Sequence, residues 1–187
     1  MMVSDDILNR ISRIESQLEI QQLVCRYARA MDARDIDEIT TLFSPETNFG
    51  DDGIGAEGAR SFYERVLSDF YRSFHQVCGH VIEITNSSEA RGTVYCRADH
   101  EVGESWILNL MIYYDRYVQR EGRWQFKGRR PRYLYVGDAL VSPSSVAFNH
   151  WPGREGALVV DLPNSHQTWK QYWDKRSELV PNLTRLP

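Results

Sequence analysis

Cysteine is scarce in this chain. Cys25, Cys78 and Cys96 are the only three in 187 residues, neither closely spaced nor even in number, so they supply no disulfide framework and no CxxC redox pair. Buried, reduced thiols in a cytoplasmic protein are the expectation. Long apolar runs are missing too: no segment nears the roughly 18 residues of a membrane span. The first residues, Ser4-Asp5-Asp6, lack the basic start of a signal peptide. An excess of positive charge is also absent. The formal net charge is −4 and the pI near 5.7, which gives no field to attract nucleic acid. The sequence has no GxGxxG opening a helix, no phosphate-binding GxxxxGK loop, no GxSxG and no HExxH, so nucleotide, serine-hydrolase and zinc-protease chemistry lack their usual signatures. No cofactor and no metal are expected.

What is present is an aromatic-rich globule, with 10 Tyr and 5 Trp, a supply of flat side chains suited to a core or a cavity. Its length allows one sizeable core and a tail. Ile7, Ile11, Ile14 and Leu18 recur at helical spacing behind Ser4, a candidate N-cap, and the pattern continues, straight or after a bend, to about Met31. Asp35 with Glu38 three residues on reads as the cap of a new helix, so Asp32 to Arg34 forms a corner. A turn-rich stretch from Ser44 to Gly58 precedes a third helix, about Ala59 to Arg72. The period then changes to alternation. Strands are expected over about 74–85, 91–102, 105–120 and 124–136, joined by short turns and therefore antiparallel. Helices followed by a strand meander make the class α+β. The domain is expected over residues 1–140, with an extension over 141–187. That tail holds a loop, a possible strand from Ala157 to Leu162 and a short helix from about Ser165, and it carries Trp151, Trp169 and Trp173. Those rings should cover the cavity mouth or another subunit.

Several side chains could carry chemistry. Tyr27 and Asp32 lie five residues apart, about 140° around a helix, and share a face only if the helix ends near Met31. A carboxylate at a helix C-terminus faces the negative end of the dipole and needs compensation. The spacing alone also fits a core tyrosine and a solvated turn. His75 opens the first long strand, where it could be a structural hydrogen-bonder or, beside Asp32, a general base with its orienter. In a regular strand His75 and His80 point to opposite faces and cannot share a metal. Tyr95, Arg97, Asp99 and Glu101 alternate along the second strand as either a solvent face or a polar cavity floor. Arg129, near Arg130 and Arg132, could hold an oxyanion or belong to a surface cluster.

Taken in order, Arg26-Tyr27-x4-Asp32, Asp35-x-Asp37, Leu42-Phe43, Ser73-x-His75 and Gly122-Arg123-Trp124-x-Phe126-x2-Arg129 resemble the SnoaL-like branch of the nuclear transport factor 2-like superfamily, which holds dehydratases, a dehydrochlorinase and polyketide cyclases. The likeness covers about residues 5–136. It implies a cone-shaped, curved antiparallel or mixed sheet wrapped around N-terminal helices with an internal pocket. It places Tyr27, Asp32, His75 and Arg129 as catalytic groups, and Gly79 where many members carry Asn. Asp99, Tyr95, Leu23, Phe49 and Trp106 are the expected substrate-contacting walls. The activity implied is a cofactor-independent lyase on a small hydrophobic, aromatic compound. It would cleave C–O, as in dehydration, or C–C, as in retro-aldol release of a small aldehyde such as formaldehyde from a lignin-type aromatic. An isomerase or cyclase, or a binding module like a dioxygenase small subunit, would use the same pocket. A homodimer or homotrimer, with no nucleic-acid or membrane partner, is expected.

Overall fold

The computed structural model describes residues 2–141, 150–153 and 165–174. Its first element, α1 (Met2–Ala33), is one continuous helix, so the two expected segments share an axis and Ser4 lies inside the helix instead of capping it. From Ile20 onward it buries Leu23, Val24, Tyr27 and Met31, the spacing of a helix face pressed onto a sheet. The helix stops where Arg34 enters left-handed backbone at φ 59°. Asp35 then caps α2 (Ile36–Leu42) by accepting the Glu38 N–H at 2.9 Å. Half of the expected capping box forms; the Glu38 side chain turns to Arg26 instead, at 2.8 Å.

Residues 44–54 form a loop with one 3-10 turn at Gly50–Asp52 and isolated bridges from Phe43 to Phe126 and Asn48 to Ile54. Helix α3 (Gly55–Leu67) starts and ends earlier than expected. Its glycines belong to the helix because its first turn presses on the loop: a Cβ on Gly58 would lie 2.4 Å from the Gly53 carbonyl carbon.

Strands β1 (Arg72–Ile84), β2 (Glu89–Val102), β3 (Ser105–Arg120) and β4 (Arg123–Asp138) follow as an antiparallel meander in the order β1-β2-β3-β4. Helix α1 touches both edge strands, β1 and β4, so the sheet curls around it. The α+β class and the helix-wrapping sheet are therefore those expected. Pro131 is tolerated because β4 is an edge strand.

Three register shifts bend the sheet. Val77 pairs with Cys96 and Gly79 with Tyr95, which leaves Cys78 as an extra residue. Lys127 and Leu134 are the extra residues in β4. A bulge adds one residue and reverses the alternation beyond it. His75 and His80 therefore both face inward, against the expectation for a regular strand. Likewise Phe126 and Arg129 both face inward although three residues separate them, while Arg130 and Arg132 pair with the outward Tyr114 and Ile112. Cys78, as the bulged residue, is exposed, and so is Cys25; only Cys96 is the buried thiol expected of all three.

Helix α4 (Gln167–Asp174) occupies the segment expected to be helical, and Trp151 is buried against the core. The possible strand at Ala157–Leu162 lies outside the described residues, as do the loop residues 142–149. Among the described residues, no helix is long and apolar enough to cross a membrane.

At the inner face of β2, a Cβ on Gly92 would lie 2.7 Å from the Tyr117 ring and 2.8 Å from His80 Nε2. Gly92→Ala is expected to destabilise the domain by about 1–3 kcal/mol through overpacking, measured as a lower denaturation midpoint with an unchanged denaturant slope.

Candidate active site

The corner after α1 is joined to the start of β1 by one carboxylate. Asp32 accepts three hydrogen bonds: from Ser73 Oγ at 2.9 Å, from the His75 backbone N–H at 2.8 Å and from the His75 ring at 2.6 Å, Nδ1 to Oδ1. Arg34 backs this arrangement. Its guanidinium donates to the Met31, Phe70 and Tyr71 carbonyls and to Ser73 Oγ, at 2.9 to 3.1 Å, and lies over the Phe70 ring. Burial would raise the Asp32 carboxyl, but the hydrogen bonds from His75, its charge and Ser73 together bring it below the ordinary aspartate value. Asp32 is thus ionised and accepts from Nδ1–H; in the neutral imidazole this tautomer leaves the lone pair on Nε2.

His75 presents its ring to a cavity of about 300 Å³ between α1, α3 and the sheet; its side chain is 4% exposed and that of Asp32 27%. Tyr27 lines this cavity, but Asp32 does not. Five residues along an unbroken helix keep the two on different faces, so the acid sits behind the imidazole instead of entering the hollow beside it.

Tyr27 is enclosed by aromatic rings, with Tyr63, Tyr113 and Phe126 at 5.7 to 6.2 Å in edge-on contacts. Arg129 lies 4.3 Å from its ring centroid and 4.2 Å from that of Tyr113. Burial raises the Tyr27 hydroxyl despite the nearby Arg129 cation, so it stays protonated. Arg129 is itself bound by Asp115 in a forked pair, Nε to Oδ1 at 2.9 Å and Nη2 to Oδ2 at 2.7 Å. Burial works against its charge, yet Asp115 outweighs that and holds the guanidinium above the ordinary arginine value. Tyr117 donates to the same carboxylate at 2.7 Å and meets His80 Nε2 at 3.0 Å. The inward His80 therefore joins this network, and among the described residues no three ligating side chains converge to hold a metal.

Sequence reasoning missed several cavity residues. Beside His75, at 5.6 Å between ring centroids, stands His100, packed on Phe70 and Trp151. Burial, with His75 adding to it, pushes His100 down to about 3. Asn109 Nδ2 lies 2.9 Å from His100 Nδ1, and its Oδ1 is buried without a partner. His100 and Asn109 were legible as inward positions of alternating strands; the role of Asp115 was not, because it depends on register. Trp151, one of the tail rings expected over the cavity mouth or another subunit, lines the cavity.

All five of the expected walls lie elsewhere. Tyr95, Asp99 and Trp106 are on the outer sheet face: Asp99 pairs with Arg97, Trp106 packs on Phe74, and Tyr95 is exposed. One face of a strand cannot line both sides of a sheet, and His100, not Asp99, occupies the inward position. Leu23 is buried in the core without reaching the cavity, and Phe49 packs on Phe43, Phe62 and Tyr63 at the wall of a separate open depression of about 1020 Å³.

The same architecture occurs in solved structures. LinA aligns with TM-score 0.64 and 22% identity, over 72% of this chain and 98% of its own. The hexachlorocyclohexane dehydrochlorinase LinA-type3 of Novosphingobium barchaimii gives 0.64 and 20%, over 72% and 99%. A candidate scytalone dehydratase of Novosphingobium aromaticivorans gives 0.62 and 19%, over 71% and 93%. At these identities the likeness is one of fold. No curated protein matches the sequence. Residues 12–130 match the SnoaL-like domain, a span that takes in the corner after α1 and the strand positions of His75 and Arg129, so this chain belongs to the SnoaL-like domain family.

Proposed function

We propose that the chain is a cofactor-independent lyase that eliminates a hydroxyl group from a small, single-ring compound. The observation that carries this reading is the 2.6 Å contact between Asp32 and His75 Nδ1 with the imidazole facing an aromatic-lined cavity. A volume of about 300 Å³ lies at the low end of ligand sites and suits one ring better than several. Family membership and the fold it shares with dehydrochlorinases add support.

In the proposed step, His75 Nε2 takes a proton from the carbon next to the one that bears the hydroxyl. The C–H electron pair becomes the new double bond, and the C–O pair leaves with oxygen. The Tyr27 hydroxyl, kept protonated by burial, hydrogen-bonds the departing oxygen, and the imidazolium returns its proton to release water. Asp32 holds the Nδ1 tautomer and balances the charge that His75 gains. Arg129 touches three aromatic rings and supplies positive potential behind Tyr27 in a site where water screens little. The orphan Oδ1 of Asn109 would accept a second substrate hydroxyl.

Three results are expected. Screened by mass spectrometry against single-ring alcohols, the protein should release water from at least one, and His75→Ala should lower that turnover about a hundredfold or more. Equal rates for wild type and variant on every compound that binds would sink the proposal. Asp32→Asn should lower kcat with a smaller effect on KM, since Asp32 acts through His75 and not on the substrate. Finally, His100 titrates at about 3 in the fold against 6.5 ordinarily, so between these values the unfolded chain binds the additional proton. Stability is then complete above pH 6.5 and drains as pH falls toward 3. Denaturation midpoints should show that loss, and His100→Gln should make it shallower, with His80, also lowered by burial, accounting for part of the remainder.

A further inference from the structure

The N-terminal half of α1 carries an apolar stripe that no other described residue of the domain covers. Ile7, Ile11, Ile14 and Leu18 are 46–56% exposed, and Leu8 beside them is more so. Their spacing is four, three and four residues. At 3.6 residues per turn they fall within about 60° of one another, whereas Ile20, Leu23, Val24, Tyr27 and Met31, which enter the core, centre about 150° away around the axis. The stripe therefore cannot fold back onto the sheet that α1 already packs against. Four large aliphatic side chains in one line are more than the scattered exposure of an ordinary surface.

The line continues in heptad register. Gln21 and Cys25, both exposed, lie seven residues beyond Ile14 and Leu18. The face from Ile7 to Cys25 is thus six core positions long, about 27 Å of helix, and its spacing of 3.5 residues is that of a helix-to-helix seam. Because the second half of α1 is fixed by its burial in the domain, association would not have to nucleate the helix.

Charge on the flanks selects the partner and its direction. Arg10 borders the stripe on one side and Glu15, five residues later, on the other. In parallel helices these two flanks meet, so Arg10 of one copy faces Glu15 of the next, and Gln17 faces Gln22 by the same offset. In antiparallel helices like flanks meet and Arg10 finds no acid. Isoleucine at both classes of core position, with Leu8 widening the stripe, suits three helices better than two. The domains would project outward, because each lies on the far side of its helix.

We propose that the exposed heptad face of α1, from Ile7 to Cys25, is the surface through which copies of this chain join in parallel. The full-length protein tests this in two ways. By light scattering, the wild type should have a multiple of the 21.8 kDa chain mass, and Ile11→Asp/Ile14→Asp should lower that mass without lowering the domain's melting temperature. In a Cys78→Ser background, which removes the other exposed thiol, diamide should join Cys25 to Cys25 as a covalent dimer on a non-reducing gel, and Cys25→Ser should abolish the band. A monomeric wild type, a mass unchanged by the double substitution, or a lower mass without the Cys25 cross-link would each overturn the proposal.

Discussion

The hydrogen bonds that converge on Asp32 connect the two halves of this molecule. A carboxylate at the C-terminus of a helix is opposed by the dipole by about 0.3–1 kcal/mol, and left alone it would be a poor choice there. Three donors from Ser73 and His75 outweigh that penalty, since hydrogen bonds to charged groups contribute about 1.5–3 kcal/mol each. Arg34 ties the last carbonyl-bearing turn of α1 to the residues before β1. Helical layer and sheet are thus fastened at the same atoms that set the tautomer of His75. Any account of the chemistry is consequently an account of how the sheet is docked, and the corner cannot move without disturbing both.

The sequence was readable where a local pattern decides the structure. Alternation located all four strands to within a few residues, and the Asp35 cap located the second helix, because both signals sit in adjacent residues. It was unreadable where pairing decides. Cys78, Lys127 and Leu134 carry no mark of being bulged; only the register with β2 and β3 makes them so. Yet the bulge at Lys127 brings Arg129 to the inner face beside Asp115, and the one at Cys78 turns His80 inward. Asp99 and Tyr95 were misplaced for the reverse reason: the polar stripe of β2 looked like a cavity floor, whereas the inward residue of that strand near the site is His100. Asp32, His75, Tyr27 and Arg129 were legible because their order matches a known arrangement, not because spacing alone singled them out.

Arg129 and Asp115 illustrate what such a cavity requires. An ion pair buried this fully costs more in lost hydration than most surface pairs return, so its presence calls for a reason beyond stability. The forked geometry fixes the guanidinium against the rings of Tyr27, Tyr113 and Phe126, with Tyr117 donating a further hydrogen bond to the acid and His80 bonded in turn to the Tyr117 hydroxyl. The result is a positive charge that would need no rearrangement if, as proposed, a substrate oxygen gained charge nearby, which is the condition under which a fixed dipole or ion lowers a barrier most.

Helix α1 divides its work along its length. Its C-terminal half faces inward and ends at the Asp32 corner; its N-terminal half turns an apolar line the other way. Taken over its whole length, the two apolar faces cancel and the helix shows little net amphipathic character. A helix that only lined a cavity would have no need for aliphatic residues on its far face. Their heptad spacing, with Arg10 and Glu15 at complementary flanks, is that of a second packing surface, placed opposite the cavity so that association would leave the site beside His75 uncovered.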